Sequence, residues 1–327
     1  MNQKTYDVTA LGELLIDFTK NDISAQGNPM FEANPGGAPC NVLSMLQKLG
    51  KKTAFLGKIG ADMFGRLLRE RAGAEGIDLS GLVEDQDIPT TLAFVQTFAN
   101  GDRDFSFYRK PGADMMLTSQ EIREHENKIR ETAIFHFGTL SMTDEPADEA
   151  TRTAIAIAKE AGCLVSFDPN YRPPLWSSVE KAKDKMRYGM EHCDILKISD
   201  NEIEFLTGET DYEKGLRMLA DKFEIPLAFA TLGPDGSMAL CDGVLVRQAG
   251  FKNPDTIETT GAGDTFMACA LNGVLENGGI RMDGETMQKT LRFANAAASL
   301  ITTRRGALSV MPKKEEVEAY LSAAGEK

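Results

Sequence analysis

Five short apolar runs recur along this chain with helical patterns between them, and that alternation constrains the fold more than any other feature. The runs are TAFLGKIG (53–60), AIFHFG (133–138), LVSFDPN (164–170), DILKIS (194–199) and LAFATLG (227–233). Each has the length and continuity of a strand buried on both faces, as strands of parallel sheets are. Between them, Val42, Met45, Leu46 and Leu49 share one helix face that Gly50 brings to an end. Met287, Leu291, Ala294, Ala298 and Ile301 step by four and three along another. The pattern predicts an α/β chain, doubly wound, with a mainly parallel sheet and helices on both sides. Ligands of such folds sit in the loops after the carboxyl ends of the strands. The 327 residues fit one large domain with an accessory piece, or two domains.

One segment breaks the rhythm. TTLAFVQTFANGDRDFSFYRK (90–110) holds two alternating runs joined around Asn100-Gly101, a strong hairpin signal. Phe105, Phe107 and Arg109 point to one face of it, Ser106 and Tyr108 to the other. A hairpin inserted into a parallel chain is expected to project as a flap over the strand ends. The alternative is an antiparallel edge of the main sheet.

Charge and composition exclude several classes. The formal charge of −13 argues against nucleic acid or an anionic membrane as partner, since both need basic surfaces. A small anionic ligand remains compatible, because a local nest of N–H groups binds phosphate in an acidic protein. Cys40, Cys163, Cys193, Cys241 and Cys269 are scattered and form no C-x-x-C pair, so they read as buried thiols of a cytosolic protein. The start, MNQKTYDVTALGE, lacks the basic and apolar regions of a signal peptide, and no apolar run reaches the length of a membrane span. There is no P-loop motif, no G-x-S-x-G elbow and no H-x-x-x-H pair; His125, His136 and His192 lie far apart and read as structural. The segment GAGDTF lacks the third glycine of a dinucleotide fingerprint.

The chemistry points to ETTGAGDTF (258–266). Phe266, Ala270 and Val274, with Met267, Leu271 and Leu275, form a helical pattern, so Gly261-Ala262-Gly263 sits at a helix N-terminus. Free N–H groups and the positive dipole end make such a place an anion site. Asp264 in the first turn is either a dipole-pairing residue or a base placed beside a phosphoryl group. A second glycine pair, in PGGAPCN (35–41), again precedes a helix and is followed by the polar Asn41.

Together these two motifs resemble the ribokinase-like carbohydrate kinase family (PfkB), with its early G-G-x-x-x-N and late D-T-x-G-A-G-D. The resemblance runs in order through GELLIDF (12–18), GKIGADMFG (57–65), FYRKPGAD (107–114), ISDNEIEFLTG (198–208), TLGPDGS (231–237) and LRFANAAAS (291–299). FYRKPGAD, FDPNYRPPLW (167–176) and LKISDNEIEFLTG look most like its fructokinase branch, with 2-keto-3-deoxygluconate kinases as close neighbours. It implies a single ribokinase-like domain over 1–327, a three-layer fold, with about 13–35 and 88–112 contributing a small β lid. It also implies a cytoplasmic, ATP- and Mg²⁺-dependent sugar kinase acting on the primary hydroxyl of a ketohexose. Pentose and keto-acid kinases are the alternatives. A catalytically dead sensor on the same fold is a further alternative, against which the intact Asp264, glycine loop and Asn41 argue. A homodimer through the lid is compatible with the resemblance.

Residue by residue, the resemblance gives Asp264 as base and Gly261, Ala262 and Gly263 as anion hole. It gives Asp17, Gly36, Gly37 and Asn41 as sugar contacts, with Arg109 and Arg172 closing over sugar or phosphate. Thr231, Gly233 and Gly236 match the nucleotide-phosphate loop, and Asn295 lies in the helix flanking adenine. Lys197 is a nucleotide-side candidate or a plain strand-end charge, and Glu202 matches the acid that supports Mg²⁺ through water. Asp168 reads as a cap on the turn into Pro169. Two departures stand out. Glu258 replaces the usual Asp of a potassium site, which counts against a monovalent cation, and Ser199 replaces the Asn of N-x-x-E.

Overall fold

The computed structural model describes residues 4–97 and 103–325. Among the described residues, thirteen strands form two sheets. They are β1 (Tyr6–Leu11), β2 (Leu15–Ile23), β3 (Pro29–Gly36), β4 (Thr53–Gly60), β5 (Asp78–Asp85), β6 (Leu92–Thr97), β7 (Arg103–Tyr108), β8 (Thr132–Gly138), β9 (Leu164–Asp168), β10 (Ile195–Ser199), β11 (Leu227–Thr231), β12 (Gly236–Cys241) and β13 (Val244–Ala249). The large sheet has nine strands in the order β13-β12-β11-β10-β9-β8-β1-β4-β5. Every pair from β5 to β11 is parallel, and β12 and β13 continue it as antiparallel strands. All five apolar runs lie in this parallel part, and β4 spans Thr53–Gly60 with every residue buried. That continuity of burial is what a strand covered on both faces requires.

Helices cover both faces. On one side Ala38–Lys48, Ala262–Asn277 and Gly284–Ile301 pack on Val8, Ala10, Phe55 and Phe229. On the other, Ala147–Glu160 and Tyr212–Phe223 meet Phe135, Phe137, Phe167 and Leu196. The result is the three-layer, doubly wound arrangement expected. The order of strands reverses between β1 and β8: from β1 the sheet grows to β4 and β5 one way, and from β8 to β11 the other. Crevices of open α/β sheets lie at such a switch, outside the carboxyl ends of the strands.

The small sheet has the order β3-β2-β6-β7. The 90–110 segment belongs here and not to the edge of the main sheet, with β6 antiparallel to β7 and parallel to β2. Asn100-Gly101, the expected turn, lies outside the described residues. On its outer side Phe18 stacks on Phe94 with ring centroids 4.8 Å apart, and Tyr108 and Phe31 meet Phe94 edge-on. Phe18 also meets Phe64 edge-on at 5.5 Å, which ties the small sheet to the helix Met63–Ala74. Such aromatic contacts add to the area they bury.

Candidate active site

The switch point opens into a cavity of about 380 Å³. Its floor is Asp264 with Gly261 and Gly263, and one wall is Asn41 with Gly37. The small sheet supplies the opposite wall through Leu15, Asp17, Thr19, Asn34 and Phe107. A second cavity of about 640 Å³ lies beside it, lined by Thr231, Gly233, Gly236, Asn295 and Phe251. Thr259 and Gly263 line both. The glycine loop is therefore the partition between a sugar-sized space and a nucleotide-sized one.

The two helices that aim at this junction begin differently from four of the other long helices. Met63–Ala74, Val179–His192, Tyr212–Phe223 and Gly284–Ile301 each begin with an Asp or Ser side chain that accepts backbone N–H bonds. Ala38–Lys48 and Ala262–Asn277 begin at Gly37 and Gly261, with no capping bond from that residue's side chain. At Gly261 this leaves N–H groups and dipole for a ligand, whereas at the other helix the Ala38 N–H is taken by Glu13 Oε1 at 2.8 Å. Gly261 has φ 76°, which an L side chain rarely adopts, and a Cβ there would come 2.8 Å from the Ala307 Cβ. A Cβ on Gly36 would lie 2.6 Å from the Asp17 carboxylate, so glycine at 36 makes the space Asp17 occupies.

Asp264 is fixed by Asn41, whose Nδ2 donates to Oδ2 at 2.8 Å. Burial raises its carboxyl, the Asn41 bond opposes that, and Asp168 raises it further against the pull of Lys197 and Arg172. The net value is about 6. It is therefore ionised at neutral pH and still a far better proton acceptor than an exposed aspartate. Asp17 is pushed up to about 7, first by burial and then by Asp264 and Glu258, with Arg172 pulling the other way. Lys197 Nζ donates to Asp168 Oδ2 at 2.9 Å and faces Gly263. Burial lowers its ammonium, but Asp168 and Glu202 outweigh this, so it stays charged.

The other expected residues divide. Arg172 is exposed at the cavity mouth, where its guanidinium bonds the Tyr171 carbonyl at 3.2 Å. Lys197 lies on the wall of the smaller cavity and not in the nucleotide-sized one. Asp168 caps its turn by accepting from the Asn170 N–H at 3.2 Å, as read, and also holds Lys197. Asn295 reaches the nucleotide-sized cavity with its amide already used: it accepts from Ser237 Oγ at 2.9 Å and donates to the carbonyls of Gln248 and Ala249. Glu202 lies at the first turn of Asp200–Thr207, where Oε2 accepts from the Ser199 N–H and hydroxyl and Oε1 from the Tyr171 N–H at 2.7 Å. Ser199, the departure from the expected Asn, is thus the helix cap that holds Glu202.

Arg109 is not where the sequence places it. It is 5% exposed and absent from the cavity wall. Its Nε donates to Asp114 at 2.8 Å, Nη1 to Thr143 Oγ1 at 3.0 Å and Nη2 to the Leu140 carbonyl at 2.8 Å. A guanidinium buried this deeply needs a carboxylate and several acceptors, and Asp114 supplies the charge. Arg109 is a clamp at the base of β7. Sequence reasoning also passed over Glu13, quoted within GELLIDF but given no role, and Asn170. Glu13 follows β1 at the switch point, and both line the smaller cavity.

Among the described residues no group of three or more His, Cys, Asp or Glu side chains is arranged to hold a metal ion. No helix among the described residues is long and apolar enough to cross a membrane.

Comparison with known proteins agrees with this geometry. The chain is 38% identical to fructokinase-2 of Solanum lycopersicum over 316 residues, covering 96% of this chain and 95% of that one. It is 38% identical to fructokinase-1 of Zea mays over 319 residues, covering 97% and 98%. Its fold superposes on a fructokinase from Xylella fastidiosa with bound ATP, with TM-score 0.87, 29% identity and coverage of 98% and 99%. It superposes likewise on a fructokinase from Vibrio cholerae O395 bound to fructose, ADP and calcium, with TM-score 0.85, 29% identity and coverage of 97% and 99%. Residues 6–314 match the family described as pfkB family carbohydrate kinase. With that match, the relatives and the two cavities meeting at Gly263, the chain belongs to the pfkB family of carbohydrate kinases.

Proposed function

We propose that this chain is a fructokinase, which transfers the γ-phosphoryl group of ATP to the 6-hydroxyl of fructose. The observation that carries the reading is the position of Asp264, on the sugar side of the one loop that both cavities share. Sugar hydroxyls meet Asp17 and Asn41, and the nucleotide lies along Thr231, Gly233 and Gly236. Asp264 accepts the proton of the attacking hydroxyl while the N–H groups of 261–263 face the charge on the moving phosphoryl group. Its value of about 6 leaves it ionised at working pH. Mg²⁺, bound with the nucleotide, would supply charge neutralisation at the phosphates; Glu202, which lines neither cavity, would support it only through water. Glu258 accepts the Gly306 N–H at 2.8 Å through one of its oxygens, which counts against a potassium site there without removing the possibility of a monovalent cation.

The small sheet serves as a lid in this reading, since Asp17, Asn34 and Phe107 form a wall of the sugar space. Ile23, Met30, Phe31 and Tyr108 are exposed on the same sheet, which supports pairing of two copies through it. The five cysteines are free and buried, which supports a reducing compartment such as the cytoplasm.

Charge favours a neutral sugar over a keto-acid. Glu13, Asp17, Glu258 and Asp264 surround the space, while Lys197 is paired with Asp168 and Arg109 with Asp114. Among the described residues, a substrate carboxylate would find Arg172 as its one unpaired cation at the cavity. Under saturating MgATP, kcat/KM for fructose should exceed that for ribose and 2-keto-3-deoxygluconate by about tenfold or more, a margin of about 1.4 kcal/mol in the transition state. A keto-acid that outruns fructose would overturn the assignment.

A further inference from the structure

Glu13 is buried to 4% exposure at the first turn past β1, where the strand order reverses. Its Oε1 accepts the N–H of Ala38 at 2.8 Å, the first residue of the helix Ala38–Lys48. That bond does the work of the side-chain cap that Gly37 cannot provide. Gly37 lets this happen: a Cβ there would come 2.3 Å from the Glu13 carbonyl oxygen. Apart from the backbone N–H groups of Ala38 and of Glu13 itself, the carboxyl has no hydrogen-bond donor among the described residues. The side chain borders both the sugar-sized cavity and a small pit beneath it, of about 10 Å³, shared with Asp264, Asp168 and Leu140. Such a pit holds at most one water.

A buried carboxylate held only by backbone N–H groups and bordering a cavity gains from a further donor there. Burial is also the main reason its carboxyl is raised to about 7, while its own N–H, the Ala38 N–H and Arg109 oppose the rise and Asp114 adds to it. A polyol supplies hydroxyl donors of the kind required; a hydrocarbon or an anion does not. Glu13 differs in position from Asp17 and Asp264, which lie on the small-sheet wall and on the glycine-loop floor.

We propose that Glu13 is a sugar-binding residue, its Oε2 accepting a hydrogen bond from one hydroxyl of the substrate while Oε1 holds the start of the Ala38–Lys48 helix. The proposal rests on the fructokinase reading above. It makes Glu13 a determinant of which sugars are accepted: the site demands a hydroxyl at one particular carbon besides the one that reacts.

The test pairs a variant with substrate analogues. Glu13→Gln keeps an acceptor for the Ala38 N–H and removes the charge facing the cavity. At pH 8.5, where the Glu13 carboxyl is ionised, the variant's KM for fructose should rise about tenfold or more, as expected for losing a charge-assisted hydrogen bond, with kcat and the KM for ATP nearly unchanged. The penalty should vanish for one of the series 1-, 3- and 4-deoxyfructose, the analogue that lacks the contacted hydroxyl, on which both enzymes would act equally. An equal penalty on every analogue would assign Glu13 a purely structural role, and an unchanged KM for fructose would remove it from the site; either overturns the proposal. Should the amide variant fail to fold, Glu13→Asp keeps the charge but withdraws it by one methylene, and must show the same analogue-dependent loss. If the unaltered chain does not phosphorylate fructose at all, the functional reading itself falls, an outcome separate from any behaviour of the variants.

Discussion

Asn41 Nδ2 lies 2.8 Å from Asp264 Oδ2, joining two motifs 223 residues apart in the chain. The bond opposes the rise that burial imposes on the Asp264 carboxyl. Asn41→Ala should therefore move the acid limb of kcat/KM to higher pH and lower kcat at pH 6.5 more than at pH 8.5. A pH profile with an unshifted acid limb would show that Asn41 acts on the sugar alone.

In the unaltered chain, kcat/KM should fall as pH drops through about 6, because protonation removes the acceptor on Asp264. A rate flat from pH 5 to 8 would disagree with Asp264 as base.

The same burial has a cost in stability. A carboxyl whose value is raised on folding binds more protons folded than unfolded, so stability falls as pH rises from its unfolded value near 4 to about 6. Above that window Asp264 is ionised at a cost, and Asp264→Asn should then stabilise the fold by on the order of 1–3 kcal/mol. Melting curves at pH 8 should show the variant higher by a few degrees, and the gap should close towards pH 4. A lower melting temperature at pH 8 would contradict this.

How much of this was legible beforehand differs from element to element. The β4 strand matched its expected bounds because it is buried throughout, which gives an unbroken apolar signature. The β12–β13 hairpin escaped notice although Asp242-Gly243, at φ 47° and 78°, carries a strong two-residue turn signal; it hides beside the glycine-rich loop that drew attention first. The glycine loop and Asn41 could be read because small residues before a helix leave few other uses. Arg109 could not, since its partner Asp114 is brought back by a turn that periodicity does not reveal. Glu13 sits between Gly12 and the start of β2 with no pattern of its own, and only the topology shows that it stands at the switch.

The two arginines should separate cleanly. Arg109→Ala leaves Asp114 buried without its partner, which costs about 3–5 kcal/mol for a pair of this kind and lowers the melting temperature. Arg172→Ala removes an exposed side chain at the cavity mouth, so it should leave the melting temperature within a degree or two while raising the KM for sugar. Equal loss of stability in both would refute the division between clamp and site residue.

If the small sheet closes over the sugar, backbone amides in 15–23, 29–36 and 92–97 should exchange more slowly when fructose is added. No change in those segments at saturating fructose would mean the wall is fixed and that sugar enters by another route.

The most direct measurement is phosphoryl transfer from MgATP to fructose by the unaltered chain and by Asp264→Asn, with ATP binding measured in parallel. The account predicts fructose 6-phosphate from the unaltered chain and a kcat lower by on the order of 10²–10⁴ in the variant, with ATP affinity little changed. Near-normal turnover by Asp264→Asn would contradict it.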